Sequence, residues 1–119
     1  MTNEYVIVSF DGHTPPCLAS WAKGDGPRRM GNGDWVRCSI DLALAEVDWS
    51  ASDRGVIEAG DYAVEIGVAA TGMVDGFVVR TRGSRAATSI VAHLCRVNGW
   101  AALDCATGDY LDLDDPTLS

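Results

Sequence analysis

Basic residues are scarce in this chain, and their scarcity limits what the chain can bind. The sequence has 119 residues, with 9 Lys and Arg against 17 Asp and Glu, which gives a formal net charge of −8. Binding to nucleic acid or to an anionic membrane depends on cationic patches. The charge balance therefore disfavours both kinds of binding and favours a basic protein partner.

Long apolar runs and a basic leader are also missing. No stretch approaches the ~20 apolar residues of a membrane span, and the start, Met1 to Phe10, lacks the basic segment of a signal peptide. We therefore expect a single domain over residues 1–119, located in the cytoplasm. Disulfides are uncommon in that reducing compartment, so we expect free thiols in small, buried apolar positions at Cys17, Cys38, Cys95 and Cys105.

Motifs for catalysis or metal binding are missing as well. Structural zinc sites usually bring cysteines in close pairs, whereas the nearest pair here is Cys95 and Cys105. Electrostatics favours Cys17, with His13 before it, as the candidate nucleophile, but core packing is the simpler role. The glycine-rich loop Gly24 to Gly33 lacks the Gly-Lys-Ser/Thr ending of a P-loop. We predict no catalytic residue, no bound metal and no cofactor.

Short apolar runs between turn residues are typical of a sheet. Tyr5 to Phe10 is a β-prone run that ends at a turn. From Trp35 to Ala45 apolar and polar residues alternate, which predicts a strand with one wet face, although its end would also tolerate a helix. Val47 to Gly55 is predicted to be a connection. Tyr62 to Val68 and Val74 to Thr81 alternate again and predict a hairpin.

The segment between the first two predicted strands contains proline and many glycines. Thr14 to Trp21 favours a short helical turn, because proline is tolerated at the first helical position. Lys23 to Asp34 cannot be regular structure and predicts a surface loop.

The last third of the chain holds the clearest pattern. Apolar residues fall on one arc of a helical repeat between Ser84 and Val97, with Ser84 as N-cap and Gly99 as left-handed C-cap. Two apolar runs follow, separated by Ala106 to Asp109 as by a hairpin loop. The predicted apolar arc consists of Ala86, Ala87, Ile90, Val91, Leu94 and Cys95, with Ala92 opposite.

Together these elements predict an α+β fold. The expected architecture is a mainly antiparallel sheet of about five or six strands with one long helix packed on one face. Trp100 opens a strand next to the helix and is predicted to be core.

Tryptophans supply either core area or interface anchors. Trp35 and Trp49 each follow an aspartate, and an aromatic side chain beside a carboxylate suits recognition of a cationic protein surface; packing at a sheet edge is the alternative. We predict partner-binding residues at Asp34, Trp35, Asp48 and Trp49 on one edge, with a second cluster at Asp109, Tyr110 and Asp112.

The segment Cys95 to Leu113, Cys-Arg-Val-Asn-Gly-Trp-Ala-Ala-Leu-Asp-Cys-Ala-Thr-Gly-Asp-Tyr-Leu-Asp-Leu, resembles a helix-to-hairpin ending of immunity proteins, small bacterial proteins encoded beside interbacterial toxins. The resemblance implies a cytoplasmic inhibitor that binds one toxin domain by occlusion. Two other functions are left open. One is a phage-encoded inhibitor of a bacterial defence complex that acts as an acidic nucleic-acid mimic, and the other is a small ligand-binding protein or enzyme.

Overall fold

This computed structural model describes residues 2–9, 30–44, 47–51, 53–68 and 72–113. Within these ranges five consecutive strands separate two helices. The elements in chain order are β1 (Thr2–Ser9), β2 (Gly31–Asn32), α1 (Gly33–Ala43), β3 (Asp48–Ala51), β4 (Arg54–Glu58), β5 (Tyr62–Gly67), β6 (Met73–Val74), β7 (Phe77–Gly83), α2 (Ala86–Asn98) and β8 (Trp100–Asp104).

Within the described ranges, six of the strands form one sheet in the order β3-β4-β5-β7-β1-β8, and every neighbouring pair is antiparallel. The strands β2 and β6 form a separate small ribbon. The predicted α+β class and mainly antiparallel sheet are therefore confirmed. The predicted pairing is also confirmed, because β5 pairs with β7, which leads into α2. The predicted second strand, Val74 to Thr81, begins too early, since Val74 belongs to β6 and pairs with β2.

One face of the sheet and both helices enclose the core. Side chains alternate between the two faces of a strand, and the buried residues Tyr5, Val79 and Ile66 lie side by side across β1, β7 and β5. Leu94 of α2 and Ile40 of α1 belong to the same buried cluster. The helices therefore cover the same face of the sheet.

The helix α2 agrees with the prediction in position and differs in detail. Gly99 is the left-handed C-cap, with φ of 70°, and its N–H donates to the Cys95 carbonyl. The N-cap is Arg85 and not Ser84. Ala92, predicted to be on the wet side, is buried, while Ala86 is exposed. The reason is that α2 packs against α1 as well as against the sheet, so it buries a second side.

The segment Trp35 to Ala45 was predicted to be a strand, and that prediction is wrong: Trp35 to Ala43 belong to the helix α1 and Leu44 is its C-cap. Ala45 lies outside the described residues. Its side chains form two apolar sets on opposite sides of the helix. Val36, Ile40 and Leu44 are buried, whereas Cys38 and Leu42 are exposed. Because the members of the two sets follow one another in turn along the sequence, every second residue is apolar. A half-buried strand has the same pattern. One long helix was expected, whereas the described part of the chain has two short helices, α1 with 11 residues and α2 with 13.

The predicted connection is wrong, and the predicted turn and most of the predicted loop lie outside the described residues. Val47 to Gly55, predicted as a connection, contains the edge strand β3 and the start of β4. The predicted turn Thr14 to Trp21 lies outside the described residues, as does most of the predicted loop Lys23 to Asp34. The described end of that loop forms β2 and the first turn of α1.

The loop after β8 forms as predicted. Leu103 and Tyr110 form an antiparallel bridge, and the Gly108 N–H donates to the Asp104 carbonyl at 2.8 Å. The short segment between them turns the chain back on itself. Among the described residues, neither helix is long and apolar enough to cross a membrane.

Candidate functional site

The outer side of α1 exposes large apolar side chains. Residues three or four apart share a face of a helix, and Trp35, Cys38 and Leu42 follow that spacing on the side opposite Val36 and Ile40. Trp35 is 53% exposed and Leu42 is 89% exposed. Trp35, Cys38 and Leu42 are called the outer row below.

Two carboxylates run beside the outer row. Asp34 and Asp41 are seven residues apart, about two helical turns, so they fall on one line along α1, and both are exposed. They are called the acidic row below. The surface of α1 thus presents an apolar line and an acidic line side by side.

The start of α1 holds Trp35 in place. The backbone N–H of Trp35 donates to Asn32 Oδ1 at 2.8 Å, which caps the helix. Its ring lies over Gly31, where a Cβ would be 3.1 Å from ring atom Cε3. Gly31 also has φ of 131°, which favours glycine. Met73, the strand partner of Asn32, adds a second exposed apolar side chain at this end of the helix.

Trp49 connects α1 to the edge strand β3. Its Nε1 donates to Asp41 Oδ1 at 2.7 Å, and the Arg37 guanidinium lies 5.8 Å from the ring centroid. Its ring also packs over Gly55, where a Cβ would be 2.9 Å from Trp49 Cε3. Trp49 is half-buried as a result. It holds β3 against α1 and presents less surface to a partner than Trp35 does.

The first predicted cluster lies on α1 and β3. Asp34 forms an ion pair with Arg37, which in turn contacts Trp49. Trp35 belongs to the outer row, and Asp48 is exposed on β3. The structure therefore links Asp34 to Trp49 through Arg37 and places Trp35 on the other side of the acidic row.

The second predicted cluster lies at the opposite edge of the sheet. Asp109, Tyr110 and Asp112 follow β8, whereas the first cluster adjoins β3, and these are the two edge strands of the sheet. Six strands have five spacings, which separates the edges by roughly 24 Å at ~4.8 Å per spacing. Asp109 and Asp112 are exposed, and Tyr110 is half-buried. The two clusters are separate surfaces.

Three residues of the α1 surface were missed by the sequence analysis, namely Cys38, Asp41 and Leu42. Treating the segment as a strand put Cys38 and Leu42 on the buried side. Trp35, Cys38 and Leu42 are three and four residues apart, which is the spacing of one face of a helix. This spacing could have identified them, although the same segment also alternates between apolar and polar residues.

The thiols do not agree with the expectation that all are buried. Cys95 is buried, but Cys38 and Cys105 are exposed, and Cys17 lies outside the described residues. Burial raises the pKa of the Cys95 thiol to about 12. The pKa of Cys105 is also raised, by desolvation first and then by Glu4 and Asp104. Both shifts disfavour the reactive thiolate.

The face of the sheet opposite the helices carries paired charges of both signs. Arg54 Nη1 lies 4.0 Å from Glu65 Oε1, and Arg80 Nη2 lies 3.8 Å from Glu4 Oε2. These four side chains line a shallow depression of about 280 Å³. Within the described ranges, no group of three His, Cys, Asp or Glu side chains is arranged to hold a metal ion.

The fold and this surface define an α+β protein in which two helices cover one face of an antiparallel sheet and one of them exposes an apolar row. The chain matches no protein-family model, no curated protein and no solved structure. Any functional assignment therefore depends on the geometry of the surface.

Proposed function

We propose that this protein binds and inhibits a cationic protein, and that it acts as an immunity protein that neutralises a bacterial toxin domain in the cytoplasm. The observation that carries the proposal is the exposed tryptophan beside carboxylates on α1. Trp35 supplies apolar contact area, and Asp34 and Asp41 supply negative charge next to it.

The charge of the whole chain supports a cationic partner. A net charge of −8 creates a negative field, and such a field raises the association rate with a positive protein surface. Asp48 is exposed and precedes Trp49 on β3, and Trp49 contacts Asp41 of the acidic row, so exposed carboxylates on both elements contribute to this field. Arg37 offsets part of this charge through its ion pair with Asp34. The Asp34 side chain nevertheless remains 82% exposed.

The aromatic residue supports tight binding after the encounter. Interface residues that contribute most to affinity are enriched in tryptophan and lie near the centre of the contact. The helix cap fixes the backbone of Trp35 and its ring packs on Gly31, so the side chain has less conformational freedom to lose on binding than a ring with no contacts would. The dissociation rate should therefore depend on Trp35, and the association rate on the carboxylates.

Affinity capture with the tagged protein, followed by kinetics with the purified captured protein, tests the proposal. We expect a protein with a basic surface whose association slows as ionic strength rises, because salt screens exposed charges. The captured protein should be toxic when expressed alone and harmless when this chain is co-expressed.

Two results would contradict the proposal. The first is a captured partner whose association rate is the same at low and high ionic strength. The second is a partner whose activity is unchanged when this chain is bound in excess.

A further inference from the structure

We infer that α1 enters an apolar groove of the partner, with the outer row on the floor of the groove and the acidic row against a single basic rim. The inference rests on the proposed function and names the element and the partner surface. It commits to a groove with lysine or arginine side chains along one rim and apolar side chains along the floor.

The spacing of the outer row is that of a helix that binds in a groove. Such helices contact the groove through residues at intervals of three and four along one face. Trp35, Cys38 and Leu42 have those intervals, and the inner face is occupied by Val36 and Ile40 within the core. The core contacts of α1 are therefore made by its inner face, and the outer row is not part of the buried core cluster.

The charges of α1 are asymmetric about the outer row. The acidic row, Asp34 and Asp41, lies on one side. On the other side lies Ser39, whose hydroxyl donates to the Trp35 carbonyl at 3.0 Å. One side of the helix thus attracts cations and the other is neutral, so a matching groove is basic on one rim.

The carboxylates of the acidic row can accept further hydrogen bonds from a partner. Arg37 contacts Oδ1 of Asp34, and Trp49 donates to Oδ1 of Asp41. An ionised carboxylate has two acceptor oxygens with several acceptor sites between them. The internal contacts orient each carboxylate, and the remaining acceptor sites fit lysine or arginine donors on the rim.

A second copy of this chain fits the surface less well than a basic partner. Each copy would bring a net charge of −8 and its own acidic row. Like charges brought together across an interface oppose association.

The experiment compares charge insertion on the two helices. Leu42→Glu places a carboxylate in the outer row, and Val97→Glu places one at an exposed apolar position of α2. Val97 is 58% exposed and Leu42 is 89% exposed, so both substitutions add a carboxylate at an exposed apolar position of a helix, and Val97→Glu is the control for Leu42→Glu. The probe is the captured protein, purified and titrated against each variant by calorimetry, and Trp35→Ala is the third variant.

We expect Leu42→Glu and Trp35→Ala to weaken binding by roughly tenfold or more, because each removes an apolar contact from the floor of the groove. Val97→Glu should bind as the unaltered chain does. All three variants should melt within a few degrees of the unaltered chain, because the replaced side chains are exposed.

The outcomes distinguish the inference from the proposed function. If a cationic partner is captured with salt-dependent association and Leu42→Glu binds it normally, the inference is wrong and the proposed function stands. If no cationic protein binds the chain, both fail. If the unaltered chain is a dimer in sedimentation and Leu42→Glu is a monomer, a second copy occupies the outer row, and the inference is overturned.

Discussion

The helices α2 and α1 both contribute to the core, and their outer sides differ. α2 buries Val91, Leu94 and Cys95 and turns mainly polar residues outward, with Val97 as its exposed large apolar side chain. α1 buries a narrower face and exposes Trp35 and Leu42. The large apolar side chains of α2 are therefore mostly buried in the core, whereas α1 carries Trp35 and Leu42 in addition to the apolar side chains that it buries.

The largest expected effect is on the buried side of α2. Leu94→Ala removes methyl groups from a side chain that is 1% exposed, and we expect a loss of roughly 2–5 kcal/mol in the free energy of unfolding. Urea denaturation measures it, with Leu42→Ala as the control, which should change stability by less than about 0.5 kcal/mol. Equal effects in the two variants would mean that the helices do not differ as described.

A second prediction concerns the buried thiol of α2 at alkaline pH. The unfolded thiol of Cys95 ionises near pH 9, whereas the folded thiol keeps its proton up to about pH 12. Its contribution to stability is therefore complete below about pH 9 and falls as the pH rises through that range, by roughly 1.4 kcal/mol per pH unit for one proton.

The measurement is the free energy of unfolding as a function of pH, compared between the unaltered chain and Cys95→Ala. The difference between the two curves isolates this thiol from Tyr5, whose burial also raises its pKa. Parallel curves from pH 8 to pH 11 would show that Cys95 is not protected from ionisation.

A smaller effect is expected where β3 meets α1. Trp49→Phe keeps an aromatic ring over Gly55 but removes the hydrogen bond to Asp41 Oδ1. We expect a loss of about 1 kcal/mol or somewhat more, since the acceptor is a carboxylate. Asp41→Asn keeps an acceptor oxygen and should cost less in the same thermal melts. If Trp49→Phe is as stable as the unaltered chain, Trp49 does not hold β3 to α1.

The smallest effect on folding is expected from charge reversal at the two sheet edges. Asp48→Lys and Asp109→Lys change the net charge equally, and both positions are exposed. Each should leave stability within about 0.5 kcal/mol. Asp48→Lys should slow association with the captured partner by roughly twofold to tenfold, and Asp109→Lys, at the far edge, should slow it less. A larger effect at Asp109 would place the interface at the β8 edge.

Elements with a single repeating pattern could be predicted from the sequence. α2 has one main apolar arc and a glycine at its end, and β5 and β7 alternate around a turn, so each pattern has one structural interpretation. The edge strand β3 was missed because it is short and its one large apolar residue, Trp49, packs over a glycine. No local pattern marks such a strand.

The candidate site was only partly predictable for a related reason. Asp34 and Trp35 stand next to a glycine-rich loop and were expected to be exposed, as the structure shows. Leu42 and Cys38 were predicted to lie on the same side of a strand as Val36, because they are an even number of positions away from it. A helix with apolar residues on two sides cannot be told from a strand by alternation alone, and the exposed side of that helix is the surface that matters here.

Native alkylation of Cys38 tests most directly the claim that α1 is a helix with an exposed outer row. The folded protein is treated with a maleimide at neutral pH, and the modified cysteines are located by peptide mass spectrometry, with urea-unfolded protein as the reference. We predict fast modification of Cys38, which is exposed, and protection of Cys95, which is buried. Protection of Cys38 to the same degree as Cys95 would contradict this claim, because a strand with Val36, Cys38 and Ile40 on one buried side gives that result.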